Sequence, residues 1–344
     1  MDYLVLEGRP YQIGKRKAEF DGDYLKEILD YYDQERNVEF ERWIAGKAIP
    51  YIESRWPDLA EEVEGYLDAS GFDKLAMYKR LYSQAKRYFT CSNVAIETTD
   101  AGFVFAKNTD LIHWELPHTF FFHYKPDRGQ EFFGYSYKGS YMVQGMNRSG
   151  LCNGGASMSG IVEPADAVPN TGSPMEFIQR QVMQYAESAE QAVDIYREHA
   201  MFDKARGLMV LDAGGECKSI NISRTFCHVR DETALPAYCT GFFDTDKYEW
   251  REDFKSAVET KKAREAFAEA YFRQKVTHSF QDLLNFLKSH GPDWSKPGQW
   301  CRHYPQEPSF RTCASHVCIP AQRKVLYCHG NPCETPYKEF VFDS

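Results

Sequence analysis

The chain has 344 residues, 43% of them apolar, which is enough to bury one large core. Its 41 Lys and Arg against 50 Asp and Glu give a net charge of −9 with no basic stripe, so nucleic acid is excluded as a partner. Ten cysteines are too sparse for a disulfide scaffold, no apolar run reaches the length of a membrane-spanning helix, and the start carries no basic and apolar leader. The expectation is a reduced, cytoplasmic protein away from membranes.

In chain order, residues 1 to 8 alternate as a short strand. From about 10 to 88, apolar residues recur every three to four positions, with amphipathic stretches at 27 to 32, 43 to 52, 59 to 67 and 74 to 87. This predicts a mainly helical segment over 1–90. No Pro/Gly linker or low-complexity tract separates it from residues 91–344, so it is expected to pack on that larger part of the chain.

After residue 90 the periodicity changes to that of strands. Runs at 91 to 97 and 103 to 106 flank Thr99-Asp100-Ala101-Gly102 and read as a hairpin. Antiparallel partners joined by a short turn bring their outer ends together, so Asp110 is predicted to return beside Cys91. Runs at 119 to 125 and 130 to 137 flank the turn Pro126-Asp127-Arg128-Gly129, and runs at 141 to 145 and 151 to 157 flank Asn147-Arg148-Ser149-Gly150. The aromatics between Phe103 and Tyr141 read as sheet packing, with the wall of an acyl pocket as the alternative.

Helices come next, each opened by a capping box, at Ser173-Pro174-Met175-Glu176 and Ser188-Ala189-Glu190-Gln191. Strands return at 207 to 211, 218 to 223, 226 to 229 and 238 to 240. Helices at about 253 to 274 and 278 to 289 succeed them, and a hairpin at 312 to 319 and 324 to 329 closes the series. This alternation of blocks fits an α+β sandwich of two antiparallel sheets covered by helices on both sides.

Several motifs stand in one order: Gly8-Arg9-Pro10-Tyr11-Gln12-Ile13-Gly14, the segment from Pro57 to Gly65, Thr90-Cys91-Ser92-Asn93, Lys107-Asn108-Thr109-Asp110, Gly145-Met146-Asn147-Arg148-Ser149-Gly150-Leu151 and Gly330-Asn331-Pro332-Cys333. Together they resemble the acyl-coenzyme A:6-aminopenicillanate acyltransferase family of autoproteolytic acyltransferases and hydrolases. The resemblance implies a four-layer αββα N-terminal-nucleophile fold, with a pro-segment at 1–90 and a catalytic core at 91–344. It also implies self-cleavage between Thr90 and Cys91. A freed α-amine, with a pKa near ~8, can take the thiol proton without a histidine. The same thiol, before cleavage, can attack the Thr90 carbonyl, so processing and catalysis share one nucleophile.

By this resemblance Asp110 accepts from the Cys91 amine and holds it in register. Lys107 stands where related bile-salt hydrolases carry an arginine, and it would bias the thiol towards thiolate. Read from the residue alone, it is a solvated strand lysine. Asn108 is expected on the opposite strand face and Trp114 at a pocket mouth. The oxyanion hole is assigned to the run Leu151-Cys152-Asn153-Gly154-Gly155-Ala156, with Asn153 supplying the side-chain amide and Gly155 and Ala156 as substrate contacts, because adjacent glycines admit a ligand closely.

Relatives commonly carry a Thr-Asn pair where this chain has Thr240-Gly241-Phe242. That departure leaves a second oxyanion donor open, with Asn221 as a weaker substitute and Gly241 and Phe242 as substrate contacts. Arg264 and Arg302 could meet an anionic substrate group, and surface exposure is the reading for Arg264.

The substrate implied is a small N-acyl amide or acyl thioester, with no cofactor and acyl-coenzyme A entering only as a substrate. The cleaved pro-segment is the expected partner, and a symmetric dimer is the default assembly. His303, Cys313, His316, Cys318, Cys328, His329 and Cys333 crowd near the end, but no spacing matches paired zinc ligands. They read as buried strand cysteines with no metal, a metal-binding module being the minor alternative. The alternative to the enzyme is an unprocessed relative with a binding or scaffold role.

Overall fold

The computed structural model describes residues 3–24, 27, 38–82, 91–157, 160–162, 172–199, 205–290, 298–303 and 310–343, apart from the side chains of 113, 114 and 310. The strand-forming runs build two sheets, and because successive side chains point to opposite faces, the inner strands bury residues on both. The first has eight strands in the order β1-β4-β5-β6-β7-β8-β9-β10. They are β1 Tyr3–Gly8, β4 Thr119–Pro126, β5 Phe132–Tyr137, β6 Gln144–Asn147, β7 Cys152–Ser157, β8 Arg206–Leu211, β9 Cys217–Ile222 and β10 Cys227–Asp231. The second has six strands in the order β11-β2-β3-β12-β13-β14. These are β2 Ser92–Thr98, β3 Gly102–Ile112, β11 Ala237–Cys239, β12 Phe310–Ile319, β13 Lys324–His329 and β14 Lys338–Val341. The three hairpins expected after residue 91 form as antiparallel pairs, and so does the closing β12–β13 hairpin.

The alternation sorts side chains into three apolar layers. Ala95 and Phe105 from one sheet meet Phe133, Cys152 and Met209 from the other in the inter-sheet core. Val94, Val104 and Ala106 face the opposite way, towards α8 Lys255–Phe272 and α9 Phe280–Leu287. Leu208 and Val210 on β8 face α6 Met175–Tyr185 and α7 Ala189–Glu198. The result is helix, sheet, sheet, helix, the αββα arrangement expected.

The N-terminal segment is tied to the first sheet rather than set beside it. β1 adds to β4 as a parallel edge strand, and α1 Pro10–Asp21 then crosses α4 Pro57–Ser70. A Cβ on Gly14 would lie 1.9 Å from the Glu62 carbonyl, and one on Gly65 2.0 Å from that of Tyr11, so only glycine admits this crossing. Between them run α2 Val38–Trp43, a π turn at Ile44–Ala48 and α3 Ile49–Arg55, interrupting the single helix read over 43 to 52. Gly46 and Pro50 are both poor interior helix formers. α5 Lys74–Tyr82 ends the described part of this segment, so the expected turns at 28 to 32 and 83 to 87 lie outside the described residues.

One sequence expectation needs correction here. Ser173 does not cap α6, which starts at Met175 behind Pro174. Glu176 instead accepts from the Tyr141 amide at 2.8 Å and pairs with Arg80 at 3.2 Å. β14 carries no clear alternation and was not anticipated. Ser188 does cap α7, accepting from the Gln191 amide at 3.3 Å.

Candidate active site

Cys91 stands at the head of β2, buried, with its thiol 3.9 Å from the Asp110 carbonyl oxygen. The β2–β3 register pairs Ser92 with Asn108, which sets Cys91 level with Thr109 and next to Asp110. The hairpin thus brings together the two residues that the sequence placed side by side. Thr90 lies outside the described residues.

β3 divides the neighbourhood into two faces. Phe105 and Lys107 point between the sheets, whereas Ala106 and Asn108 point towards α8 and α9. Lys107 is fully buried, and its Nζ donates to the Gly155 carbonyl at 2.6 Å on the facing sheet. The solvated-lysine reading is therefore overturned. Among the described residues Lys107 has no carboxylate partner, and His316 lies opposite it in the ladder. The sheets approach closely here: a Cβ on Gly154 would sit 2.5 Å from Asn93 Oδ1 and 2.6 Å from the Phe105 ring.

The Asp110 carboxylate belongs to the helix-facing side and is fully held. Arg264, from α8, donates Nη2–H to Oδ2 at 2.5 Å, and the Thr312 hydroxyl donates to Oδ1 at 2.8 Å. The Thr312 oxygen in turn accepts from the Arg302 amide at 2.8 Å. Arg264 is 1% exposed, which corrects the surface reading of that residue. An arginine so deeply buried is retained because the carboxylate it meets is equally desolvated.

The other candidates scatter. Asn108 donates to the Leu287 and Trp300 carbonyls at 3.0 and 2.8 Å, fastening the end of α9 to the sheet, and sits on the face opposite Lys107. Asn153 faces the helices, not Cys91: its Oδ1 accepts from the Tyr196 hydroxyl at 3.0 Å, and its Nδ2 reaches the Val143 carbonyl at 3.4 Å. Gly155 is brought to Lys107, while Ala156, one residue on, is buried on the inter-sheet side of β7. Asn221 is bound at both ends, through Nδ2 to the Phe243 carbonyl and Tyr248 hydroxyl and through Oδ1 to the Phe243 amide. The Gly241 carbonyl accepts from the Cys239 thiol at 3.1 Å, and Phe242 is buried among Phe226, Tyr248 and Trp250. The Trp114 backbone lies in a 3-10 turn, His113–His118, and its side chain is outside the described residues.

Two residues near the thiol were not singled out from sequence. Asn93 shares the inner face with Lys107, donating to the Cys239 carbonyl at 2.8 Å. Among the described residues the Tyr135 hydroxyl is buried without a hydrogen-bond partner, and burial, followed by the charges of Tyr327, Cys313, Cys91 and Glu115, raises its pKa. Only its aromatic character was visible in the sequence. Elsewhere, burial pushes the Cys239 thiol up to about 11 and Cys328 to about 12, which keeps both protonated and unreactive near neutrality. A cleft of about 590 Å³, lined by Arg230, Glu232, Leu235, Tyr238, Glu269 and Arg273, includes none of Cys91, Lys107, Asp110 or Gly155.

Two packed sheets between helix layers define the class: this is the αββα architecture of the N-terminal-nucleophile hydrolase fold. The chain belongs to the acyl-coenzyme A:6-aminopenicillanic acid acyl-transferase family, whose pattern it matches over residues 97–334. Family membership supports acyl-transfer or amide-hydrolysing chemistry. A variant of the conjugated bile acid hydrolase from Clostridium perfringens is 15% identical, over 74% of this chain and 97% of its own, with a TM-score of 0.46. The penicillin V acylase from Agrobacterium tumefaciens is 12% identical, over 70% of this chain and 83% of its own, with a TM-score of 0.45. No curated protein matches the chain. No helix among the described residues is long and apolar enough to cross a membrane.

Proposed function

We propose that the protein is a self-processing cysteine amidohydrolase or acyltransferase that works through an acyl-Cys91 intermediate. The observation that carries the reading is the position of Cys91 at the head of β2, against an Asp110 whose carboxylate is clamped by Arg264 and Thr312. In this reading the Cys91 thiol attacks the Thr90 carbonyl, the amide nitrogen leaves as the α-amine of Cys91, and water hydrolyses the resulting thioester. The freed amine then takes the thiol proton, and the thiolate attacks the carbonyl of a small N-acyl amide or acyl thioester. The proton passes to the leaving amine or thiol, and water or a second amine collects the acyl group.

Lys107, on the inner face and paired with no carboxylate among the described residues, supplies a positive field in a water-excluded site, which favours thiolate and oxyanion alike. With the Asn153 amide turned away and Asn221 bound at both ends, the oxyanion donors in this reading are main-chain amides of β7 near Gly155 and Ala156, joined by the Tyr135 hydroxyl. Gly241, in place of a side-chain amide, favours the second reading, a relative that keeps the fold without processing.

Intact mass under denaturing conditions distinguishes them. Fragments ending at Thr90 and beginning at Cys91 are expected from the parent protein, with one uncut chain from Cys91→Ala. A single uncut mass from both proteins, unchanged after exposure to acyl thioesters, would sink the enzymatic reading.

A further inference from the structure

Beyond the Cys91 site, four side chains from three separate stretches converge at the far end of α9. His290 succeeds that helix, Cys301 and His303 come from the irregular stretch 298–303, and Cys333 from the turn after β13. One donor atom from each lies within 4.8 Å of all the others. His303 Nε2 is 3.0 Å and His290 Nε2 3.2 Å from Cys333 Sγ, and Cys301 Sγ is 3.5 Å from both Cys333 Sγ and His303 Nε2. A tetrahedral zinc with Zn–S near ~2.3 Å and Zn–N near ~2.05 Å has ligand-to-ligand edges of roughly 3.3–3.8 Å. Four of the six donor-to-donor distances, at 3.0–3.5 Å, therefore already lie near the edges of such a tetrahedron, and the two from His290 to Cys301 and to His303 are within 4.8 Å.

The surroundings suit the same ion. The Glu334 carboxylate lies 3.5 Å from His303 Nδ1, the nitrogen directed away from the cluster, and so favours the tautomer with Nε2 available. Asn331 donates to the Cys301 sulfur at 3.4 Å and to the Arg302 carbonyl at 2.8 Å. Such an N–H donor to sulfur stabilises a thiolate ligand. We propose that His290, Cys301, His303 and Cys333 form a Cys2His2 site for a zinc ion. Two thiolates and two imidazoles in a tetrahedron select zinc over magnesium or calcium, which demand oxygen ligands. With all four positions supplied by protein the site is structural, and each thiol gives up its proton to solvent on ligation.

The ion joins stretches that also support Asp110. The Cys301 amide donates to the Ser289 carbonyl, the Trp300 carbonyl accepts from Asn108, and the Arg302 backbone brackets Thr312. The sequence concealed the site because zinc-ligand spacing is diagnostic only when ligands share one local motif, and His290 and Cys301 lie outside the crowded stretch from His303 to Cys333.

The test is metal analysis of the full chain purified without chelator, beside Cys333→Ser and His290→Ala, with near-ultraviolet circular dichroism to certify folding. About one zinc per chain is expected in the parent, falling roughly tenfold in either variant. Cobalt exchanged into the parent is expected to show tetrahedral ligand-field bands and a thiolate-to-cobalt charge-transfer band that weakens in Cys333→Ser. Zinc content that stays far below one per chain after reconstitution, or equals that of the folded variants, overturns the proposal. So does a cobalt spectrum without thiolate charge transfer, or a Cys301–Cys333 disulfide found by mass in the reduced preparation.

Discussion

Two buried arginine–carboxylate pairs stand in different regions and are built differently. At the junction of the N-terminal segment with the first sheet, Arg180 meets Glu62 at 3.2 Å. There the carboxylate also accepts from the Tyr124 hydroxyl at 2.7 Å, and the guanidinium lies 3.6 Å from the centre of the Tyr124 ring and donates to Gln184. Beside Cys91, Arg264 meets Asp110 with one hydroxyl in support. The junction spreads its charge over several groups, as a permanent seam should. The site concentrates charge on few, and on the other face of the same strand gives Lys107, among the described residues, a neutral carbonyl in place of a carboxylate. Electrostatic redundancy marks the part that holds the molecule together, and its lack marks the part proposed to react.

Removing each arginine tests that contrast most strongly. Arg264→Met leaves Asp110 buried with a single hydroxyl, and a loss of about 3–5 kcal/mol in urea unfolding is expected. Arg180→Met leaves Glu62 with Tyr124, and a loss of about 1–3 kcal/mol is expected. Equal losses, or the reverse order, would break the comparison.

Acid comes next in size. His316 is fully buried opposite Lys107 with neither ring nitrogen hydrogen-bonded among the described residues, and burial first, then the lysine charge, lowers its pKa to about 3. An unfolded chain, with histidine near ~6.5, binds a proton in that interval while the folded chain does not. Stability from this residue is thus complete above pH ~6.5, is lost as pH falls, and has declined by about 3 kcal/mol near pH 4. His316→Phe is expected to flatten this limb in pH-dependent denaturation. An unchanged limb would place the sensitivity elsewhere, with the buried His199, lowered to about 4 by burial and Arg55, as the next residue to replace.

Lys107→Met sharpens the comparison further. The Gly155 carbonyl loses its donor, for a cost of about 1–3 kcal/mol. The rate of Cys91 acylation by an acyl thioester is expected to fall by about 10²-fold or more, in the range of a lost oxyanion donor. A variant losing stability but no rate would make Lys107 a structural cation. The smallest change is Tyr135→Phe, which deletes an unbonded buried hydroxyl and so is expected to leave stability within about 0.5 kcal/mol of the parent or raise it. The same variant is expected to slow acylation, and an unaltered rate would remove the hydroxyl from the proposed oxyanion hole.

Much of this was legible in the sequence where the signal was local. The alternation of 91 to 97 with 103 to 106 and the turn between them fixed the β2–β3 register, and with it the meeting of Cys91 and Asp110. Arg264 was harder, because α8 is studded with charges and a buried arginine is recognisable only beside its carboxylate. A trace was present nonetheless: Val258, Lys261, Arg264, Ala268 and Phe272 recur at three- to four-residue spacing, and all are buried. Asn153 was misread by parity. With Cys152 and Gly154 directed between the sheets, the intervening side chain must point to the helices.

The parallel pairing of β1 with β4 has a practical corollary. A chain severed after Thr90 would still have residues 3 to 8 stitched into the sheet of the other fragment, with Glu62–Arg180 and Arg80–Glu176 fastening the same seam. One translation product would become a two-chain particle of fixed one-to-one composition. An affinity tag on the first residue would then retrieve the fragment bearing Cys91, and only denaturant would part them.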